Sequence, residues 1–215
     1  MPALLPAQVR RNVASLREHH PAAAYHLLGA LEVRSFLTSH FDTEVVEAYD
    51  RLVPYAYKAD LARACMLLHF GGMYSDIANF FVRPWSIPAD KPLAGFKDLG
   101  PLASGSPFAV ANGLIHAPAQ HPQLRDYIDL VVAHVNTFHY GINPLCPTGP
   151  VAWGQVLASS PDLLTRSYLG ETRALTPELP NHNPCFIDPQ GRLVALRMKE
   201  SSGDVHSLGL EGGNN

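Results

Sequence analysis

The sequence is poor in the features that mark several functional classes. Only 16% of its 215 residues are charged, and the formal net charge is −3. A nucleic-acid-binding domain normally carries a clustered excess of Lys and Arg, so these numbers argue against that class. The three cysteines, Cys65, Cys146 and Cys185, lie far apart and form neither a disulfide framework nor a zinc-ligand spacing.

Long apolar runs are also absent. No run approaches the ~20 residues that cross a bilayer, and residues 1–12 lack the basic-then-apolar order of a signal peptide. We therefore expect no transmembrane segment and a reducing, cytoplasmic location, with attachment to the periphery of the inner membrane left open. What the sequence does contain is 47% hydrophobic residues, which at this length suffice for one core. We expect a single domain over residues 1–215.

Hydrophobic periodicity divides this domain into three regions. Residues 1–70 are expected to be helical, because apolar residues recur there at helical spacing. Residues 71–160 are expected to hold the sheet together with two further helices, one from Pro122 and one from Pro150. Residues 161–215 are expected to be irregular apart from one hairpin around Asp188-Pro189-Gln190-Gly191.

The expected sheet region begins with a strand over Met73–Val82, which is rich in aromatic and β-branched residues. Prolines and glycines then predict an irregular surface connection over residues 83–107, before a second strand over Phe108–Ile115. Strands this far apart predict an α/β fold with a mixed, partly parallel sheet flanked by helices. Ligands of open α/β sheets bind at the carboxyl ends of strands, which points to the loop after the first strand.

Two acids and an arginine surround a Gly-Gly turn in the most informative stretch. Asp60 and Arg63 lie three residues apart on the strongest predicted helix, opposite its apolar stripe, and Asp76 follows in the next strand. We expect the three groups to converge on one pocket. Carboxylates accept hydrogen bonds from hydroxyl groups or bind a cation, and a guanidinium binds phosphate or vicinal oxygens in a forked contact. The set therefore suits a polyhydroxylated, phosphorylated ligand. The structural alternative is a surface ion pair worth a few tenths of a kcal/mol.

The same stretch resembles a known signature. The run Ala59-Asp60-Leu61-Ala62-Arg63, followed by Gly71-Gly72-Met73-Tyr74-Ser75-Asp76-Ile77, is similar to the glycosyltransferase family with a DXD sugar-binding region. That family includes yeast initiating mannosyltransferases, lactosylceramide galactosyltransferases and bacterial capsule glycosyltransferases. Two further blocks occur in the family's order, Asn112-Gly113-Leu114-Ile115 with His121-Pro122, and Thr148-Gly149-Pro150.

The resemblance implies a GT-A type enzyme of polysaccharide biosynthesis. Such an enzyme moves a hexose from a UDP- or GDP-sugar to a glycan or lipid-linked acceptor, usually with retention at the anomeric carbon. By the same resemblance, Asp60 and Arg63 hold donor-sugar hydroxyls, and Arg63 also lies near the diphosphate. Asp76 contacts ribose or binds a Mn²⁺ or Mg²⁺ ion through water. Asn112, Thr148 and Gly149 would border the substrate. Tyr74 stacks on a base or sugar ring, or alternatively fills core packing.

The sequence departs from the family pattern at the DXD element, which reads Asp76-Ile77-Ala78. A methyl group supplies no oxygen to a divalent cation, so Asn79 and the late His206 are the substitutes we consider. A metal-independent enzyme, a catalytically inactive sugar-nucleotide-binding or interaction module of the same fold, and a sugar-nucleotide hydrolase are the alternatives. The family's opening strand is not found before Leu5-Pro6, so we expect a fold shortened at both ends.

Overall fold

The computed structural model describes residues 5–91, 93–98, 106, 108–175 and 184–198. Its helices are α1 (Ala7–His19), α2 (Ala30–His40), α3 (Thr43–Arg51), α4 (Tyr55–Phe70), α5 (Pro122–Asn136), α6 (Pro150–Ala158) and α7 (Pro161–Arg166). Its strands are β1 (Gly72–Ser75), β2 (Asn79–Phe81), β3 (Ala94–Lys97), β4 (Val110–Ala117), β5 (Tyr168–Ala174), β6 (Pro184–Ile187) and β7 (Leu193–Arg197). The predicted α/β class is confirmed.

Helix α4 is the central element of the helical layer. It begins after Pro54 and ends at Gly71, whose φ of 66° favours glycine. A Cβ on Gly71 would also lie 2.5 Å from the backbone nitrogen of Ala119. The predicted apolar stripe is buried, and Asp60 and Arg63 do not form the surface ion pair of the structural alternative. Both are buried, since neighbouring elements cover this helix on more than one side.

The described strands form one sheet in the order β1-β4-β3-β5-β6-β7-β2. Only β3 and β5 pair in parallel, and the other pairs are antiparallel. The sheet is therefore partly parallel, as predicted, but mostly antiparallel. The reason is connection length: β6 and β7 are joined by a short turn, whereas a long segment separates β3 from β5 and permits a crossover.

The single strand predicted over Met73–Val82 is wrong. The chain leaves the sheet at Asp76, whose carbonyl oxygen accepts the backbone N–H of Asn79 in a turn at 3.0 Å. The strands on either side of this turn, β1 and β2, lie at opposite ends of the strand order. Because three residues join them, the sheet must curve back on itself. Asn79 Nδ2 ties the two ends together by donating to Ser75 Oγ at 3.1 Å and to the Gly113 oxygen at 2.9 Å.

Two other predicted irregular regions contain regular structure. Strand β3 lies inside the connection expected over residues 83–107, where Ala94 and Phe96 are buried in the middle of the sheet. Four residues with a central glycine are too short to show periodicity. Residues 161–215 likewise contain α7, β5 and the β6–β7 pair. The predicted hairpin is confirmed, and Asp188 Oδ1 closes its turn by accepting the backbone N–H groups of Gln190 and Arg192.

Both faces of the sheet are covered. Successive residues of β4 point to opposite faces, and Ile115 belongs to the cluster that packs with the helices, while Leu114 belongs to a second cluster. The second cluster gathers aromatic residues, including Phe81, Trp85 and Phe96, inside the curved sheet. None of the described helices has the length and apolar character needed to span a bilayer. The curvature leaves the turn at Asp76 where the two ends of the sheet meet.

Candidate functional site

Arg63 is the centre of the candidate site. Its Nη2 lies 2.9 Å from Asp60 Oδ1 and 3.4 Å from Asp76 Oδ1, so one guanidinium links the two acids. The same side chain donates to the carbonyl oxygens of Asn112 and Ala59. The structure therefore brings together Asp60, Arg63 and Asp76, the three residues on which the sequence argument depends.

The Asp60 carboxylate is deeply buried and has three side-chain donors. Besides Arg63, Asn112 Nδ2 donates to Oδ1 at 2.9 Å and Thr148 Oγ1 donates to Oδ2 at 2.8 Å. Tyr127 joins this network, because its hydroxyl donates to the Thr148 oxygen and accepts from Asn112 Nδ2 at 3.2 Å. Side chains of α4, β4 and the loop before α6 thus donate to one carboxylate, and Tyr127 of α5 bonds to two of these residues.

Gly149 follows this loop at the start of α6. A Cβ there would lie 2.9 Å from the Leu145 oxygen, so the close approach of two backbone segments requires a small residue. No side-chain group of Gly149 is available to a substrate, and its contact with substrate stays a prediction.

Asp76 forms the end of the cluster nearer to solvent. Tyr74 donates to Oδ1 at 2.9 Å, and Arg197 Nη2 lies 3.2 Å from Oδ2. The side chain of Asp76 is 18% exposed and that of Arg197 is 35% exposed. A Cβ on Gly113 would come within 2.5 Å of Asp76 Oδ2, so glycine there leaves room for the carboxylate.

The contacts of Tyr74 and the position of Arg197 differ from what the sequence suggests. The ring of Tyr74 packs on the Arg63 guanidinium, with 4.5 Å between Cζ and the ring centroid, and its hydroxyl holds Asp76. No local sequence pattern links Arg197 to Asp76, because Arg197 lies 121 residues after Asp76. Only the strand register, which places Arg197 opposite Asn79, brings it to the site.

Burial also changes the ionisation of the cluster. Burial raises the pKa of Asp60 to about 6, although Arg63, Thr148 and Asn112 act in the opposite direction. Burial likewise raises the pKa values of the Tyr74 and Tyr127 hydroxyls, so both stay neutral hydrogen-bond donors near neutral pH. Arg63 keeps its positive charge, because the negative groups around it outweigh its burial.

The residues proposed as metal ligands do not fit a divalent cation in this arrangement. Asp76 already faces two guanidinium groups, and Ala78 offers no side-chain oxygen. Asn79 Oδ1 is buried without a partner among the described residues, but it is a single neutral oxygen. The described parts of the chain contain no group of three His, Cys, Asp or Glu side chains arranged for a metal. His206 lies outside the described residues.

The pocket expected to be shared by Asp60, Arg63 and Asp76 stays a prediction. Two cavities, of about 610 and 480 Å³, are lined by other parts of the described chain, one around His121 and Asp162 and the other between α1 and β2. Asp60, Arg63 and Asp76 converge, but they bind one another. A ligand approaching this cluster would first reach Asp76 and Arg197, its two partly exposed members.

Comparison with known proteins relates part of this chain to a protein family. Residues 6–94 match the model described as "Glycosyltransferase sugar-binding region containing DXD motif". Over this segment the chain is similar to that glycosyltransferase family. The matched segment contains Asp60, Arg63, Asp76 and Tyr74, whereas Arg197 lies beyond it.

Two other proteins are similar to this chain over part of its length. An uncharacterized glycosyltransferase of Acanthamoeba polyphaga mimivirus is 44% identical over 45 residues, which cover 21% of this chain and 18% of that protein. Among solved structures, PaToxG Glycosyltransferase is 22% identical with a TM-score of 0.46, covering 61% of this chain and 46% of that one. The chain thus spans less than half the length of both relatives.

Proposed function

We propose that the chain is a glycosyltransferase that moves a hexose from a UDP- or GDP-sugar to a glycan or lipid-linked acceptor, with retention at the anomeric carbon. One observation carries the proposal. Asp60, Arg63 and Asp76 form a single hydrogen-bonded cluster within the segment that matches the glycosyltransferase family. We further propose a cytoplasmic location and a role in polysaccharide biosynthesis, which fractionation and glycan profiling of a deletion strain would test.

The chemistry of the cluster suits the donor. Transfer builds negative charge on the departing diphosphate, and a fixed guanidinium stabilises that charge without reorganising. The Asp76 carboxylate accepts hydrogen bonds from hydroxyl groups, which both a sugar and a ribose carry. Retention through internal return needs no covalent nucleophile from the protein. Asp60 lies deeper and holds Arg63 in place, so we assign it a positioning role.

A second candidate is the catalytically inactive module. The observations that favour it are Ala78 at the DXD element and the pairing of the three charged groups with one another. Such a module would bind the nucleotide sugar, or a partner, without turnover. The two candidates differ in one measurable quantity, the formation of glycosylated product.

Asp76→Asn tests the proposed function. The change keeps the size of the side chain but removes the charge that accepts hydroxyls and pairs with Arg63, so we expect turnover to fall by at least about tenfold. Asp50→Asn is the matched control, because Asp50 belongs to an exposed ion pair with Arg34. Donor binding is measured by calorimetry with UDP-glucose, UDP-galactose and GDP-mannose, each with and without Mn²⁺, and product by mass spectrometry.

The outcomes separate the candidates. Product that depends on an acceptor and decreases in Asp76→Asn supports transfer, while free sugar released without an acceptor indicates hydrolysis. Donor binding without any product supports the inactive module. If no donor binds under either condition, the proposed function is wrong.

A further inference from the structure

This inference rests on the proposed function and concerns the charge that faces the donor diphosphate. We propose that Arg197, together with Arg63, binds the diphosphate in the place of a divalent cation, so that the chain binds its donor without metal. The observation that supports this proposal is a contact between Arg197, a second guanidinium from β7, and the carboxylate of Asp76 in the incomplete DXD element.

The fold holds Arg197 at this position through its backbone. Strand β7 pairs with β2 so that Arg197 lies opposite Asn79, and the N–H of Met198 donates to the Ala78 oxygen at 2.7 Å. The end of β7 is thereby attached to the residue that replaces the second aspartate. Where the family pattern has a metal-binding carboxylate, this chain has a methyl group beside an arginine.

The balance of charges follows from the contacts. Two acids, Asp60 and Asp76, face two guanidinium groups, Arg63 and Arg197, so the described cluster has no excess negative charge to attract a divalent cation. Adding such a cation near Asp76 would place it close to both arginines. Adding a diphosphate instead places negative charge where positive groups already lie, so the cluster is better matched to the anion.

Arg197 also has donors to offer. An arginine has five N–H donors, and the Asp76 carboxylate accepts from only one nitrogen, Nη2, at 3.2 Å. Its Nε is buried and has no hydrogen-bond partner among the described residues. A phosphate oxygen that replaced Asp76 as the partner of Arg197 would form a forked contact, and Asp76 would become free to accept a hydroxyl group.

The experiment measures the binding of UDP, UDP-glucose and GDP-mannose to the chain by calorimetry, in EDTA and in Mn²⁺. We expect the Kd of the wild type to agree within about threefold between the two conditions. Arg197→Gln should weaken UDP binding by at least about tenfold, and Arg197→Lys by less, because a single ammonium keeps the charge but loses the fork. Uridine, which lacks phosphate, should bind the wild type and the variants equally.

Arg192→Gln is the matched control. Arg192 belongs to the same hairpin but pairs with Asp188 at the far end of β7, so its removal should leave UDP binding unchanged. Circular dichroism and thermal unfolding show whether each variant is folded. If Arg197→Gln does not fold, the comparison of wild-type affinity in EDTA and Mn²⁺ still decides the inference.

Each outcome has one meaning. Metal-independent binding that weakens in Arg197→Gln supports the inference. Binding that requires Mn²⁺, or that Arg197→Gln leaves unchanged, overturns the inference while the proposed function stands. If none of the nucleotides binds in either condition, the proposed function and the inference are both wrong.

Discussion

At the residue scale, burial determines the properties of the candidate site. Asp60 and Arg63 are three positions apart, a spacing that on a surface helix forms a weak ion pair. In this fold both are buried, and the Asp60 carboxylate is surrounded by the donors of Arg63, Asn112 and Thr148. Because the charged form of Asp60 is held in a poorly solvated place, its ionisation is coupled to folding.

Asp60→Asn should change the pH dependence of stability. The pKa of Asp60 is about 6 in the folded chain and near 3.9 when unfolded, so the folded state binds the proton more tightly. The resulting stabilisation is complete below about pH 4 and is lost as pH rises through 6, a change on the order of 3 kcal/mol. Urea unfolding from pH 4 to 7 should show this decrease in the wild type but not in Asp60→Asn.

A surface acid supplies the control. Arg34 lowers the pKa of Asp50 through a hydrogen bond, so the stabilisation from Asp50 is present above about pH 4 and is lost as the pH falls. Asp50→Asn should therefore keep the decrease between pH 4 and 6. Parallel curves for the wild type and Asp60→Asn would show that Asp60 does not carry the effect.

At the scale of elements, close backbone contacts fix how helices lie on the sheet. Helix α6 packs on the segment before β4, with Gly154 at the contact. A Cβ at Gly154 would lie 1.8 Å from the Phe108 oxygen and 3.1 Å from Ala109 Cα. The helix itself is predictable from the sequence, since Thr148-Gly149-Pro150 marks its start. The need for a glycine within it comes from the neighbouring backbone.

Gly154→Ala should destabilise the fold, although alanine is normally better than glycine in a helix by up to about 1 kcal/mol. The added methyl group meets backbone atoms that have no rotamer to change, so we expect a loss of at least about 2 kcal/mol. Chemical denaturation measures the loss. Gln155→Ala, at an exposed position of the same helix, should be neutral or slightly stabilising. A Gly154→Ala variant as stable as the wild type would contradict the packing seen here.

At the scale of the whole molecule, the first helix and the last described strand meet at the candidate site. Asn12 of α1 is buried, and its Nδ2 donates to the Ile77 oxygen at 2.9 Å and to the Met198 oxygen at 3.2 Å. One amide group thus joins the first helix, the turn after Asp76 and the end of the last described strand. The curvature of the sheet and the position of Arg197 both depend on this region.

Asn12→Ala should destabilise the fold by about 1–3 kcal/mol, because two carbonyl oxygens lose a buried donor. The free energy of unfolding from urea denaturation measures this change. Arg11→Ala, which removes an exposed neighbour bonded to Gln8, should have an effect within about 0.5 kcal/mol. Equal losses in the two variants would show that the Asn12 bonds do not hold α1 against Ile77 and Met198.

The sequence by itself determined the local and repetitive features: helices with a 3.6-residue period, the Gly-Gly end of α4, the β6–β7 hairpin and the motif of the glycosyltransferase family. Each depends on residues close together in the chain. The tertiary structure alone decided the burial of Asp60 and Arg63, the break at Asp76 and the arrival of Arg197 from β7. These depend on contacts between distant segments, such as Arg197 with Asp76, whose register no local pattern records.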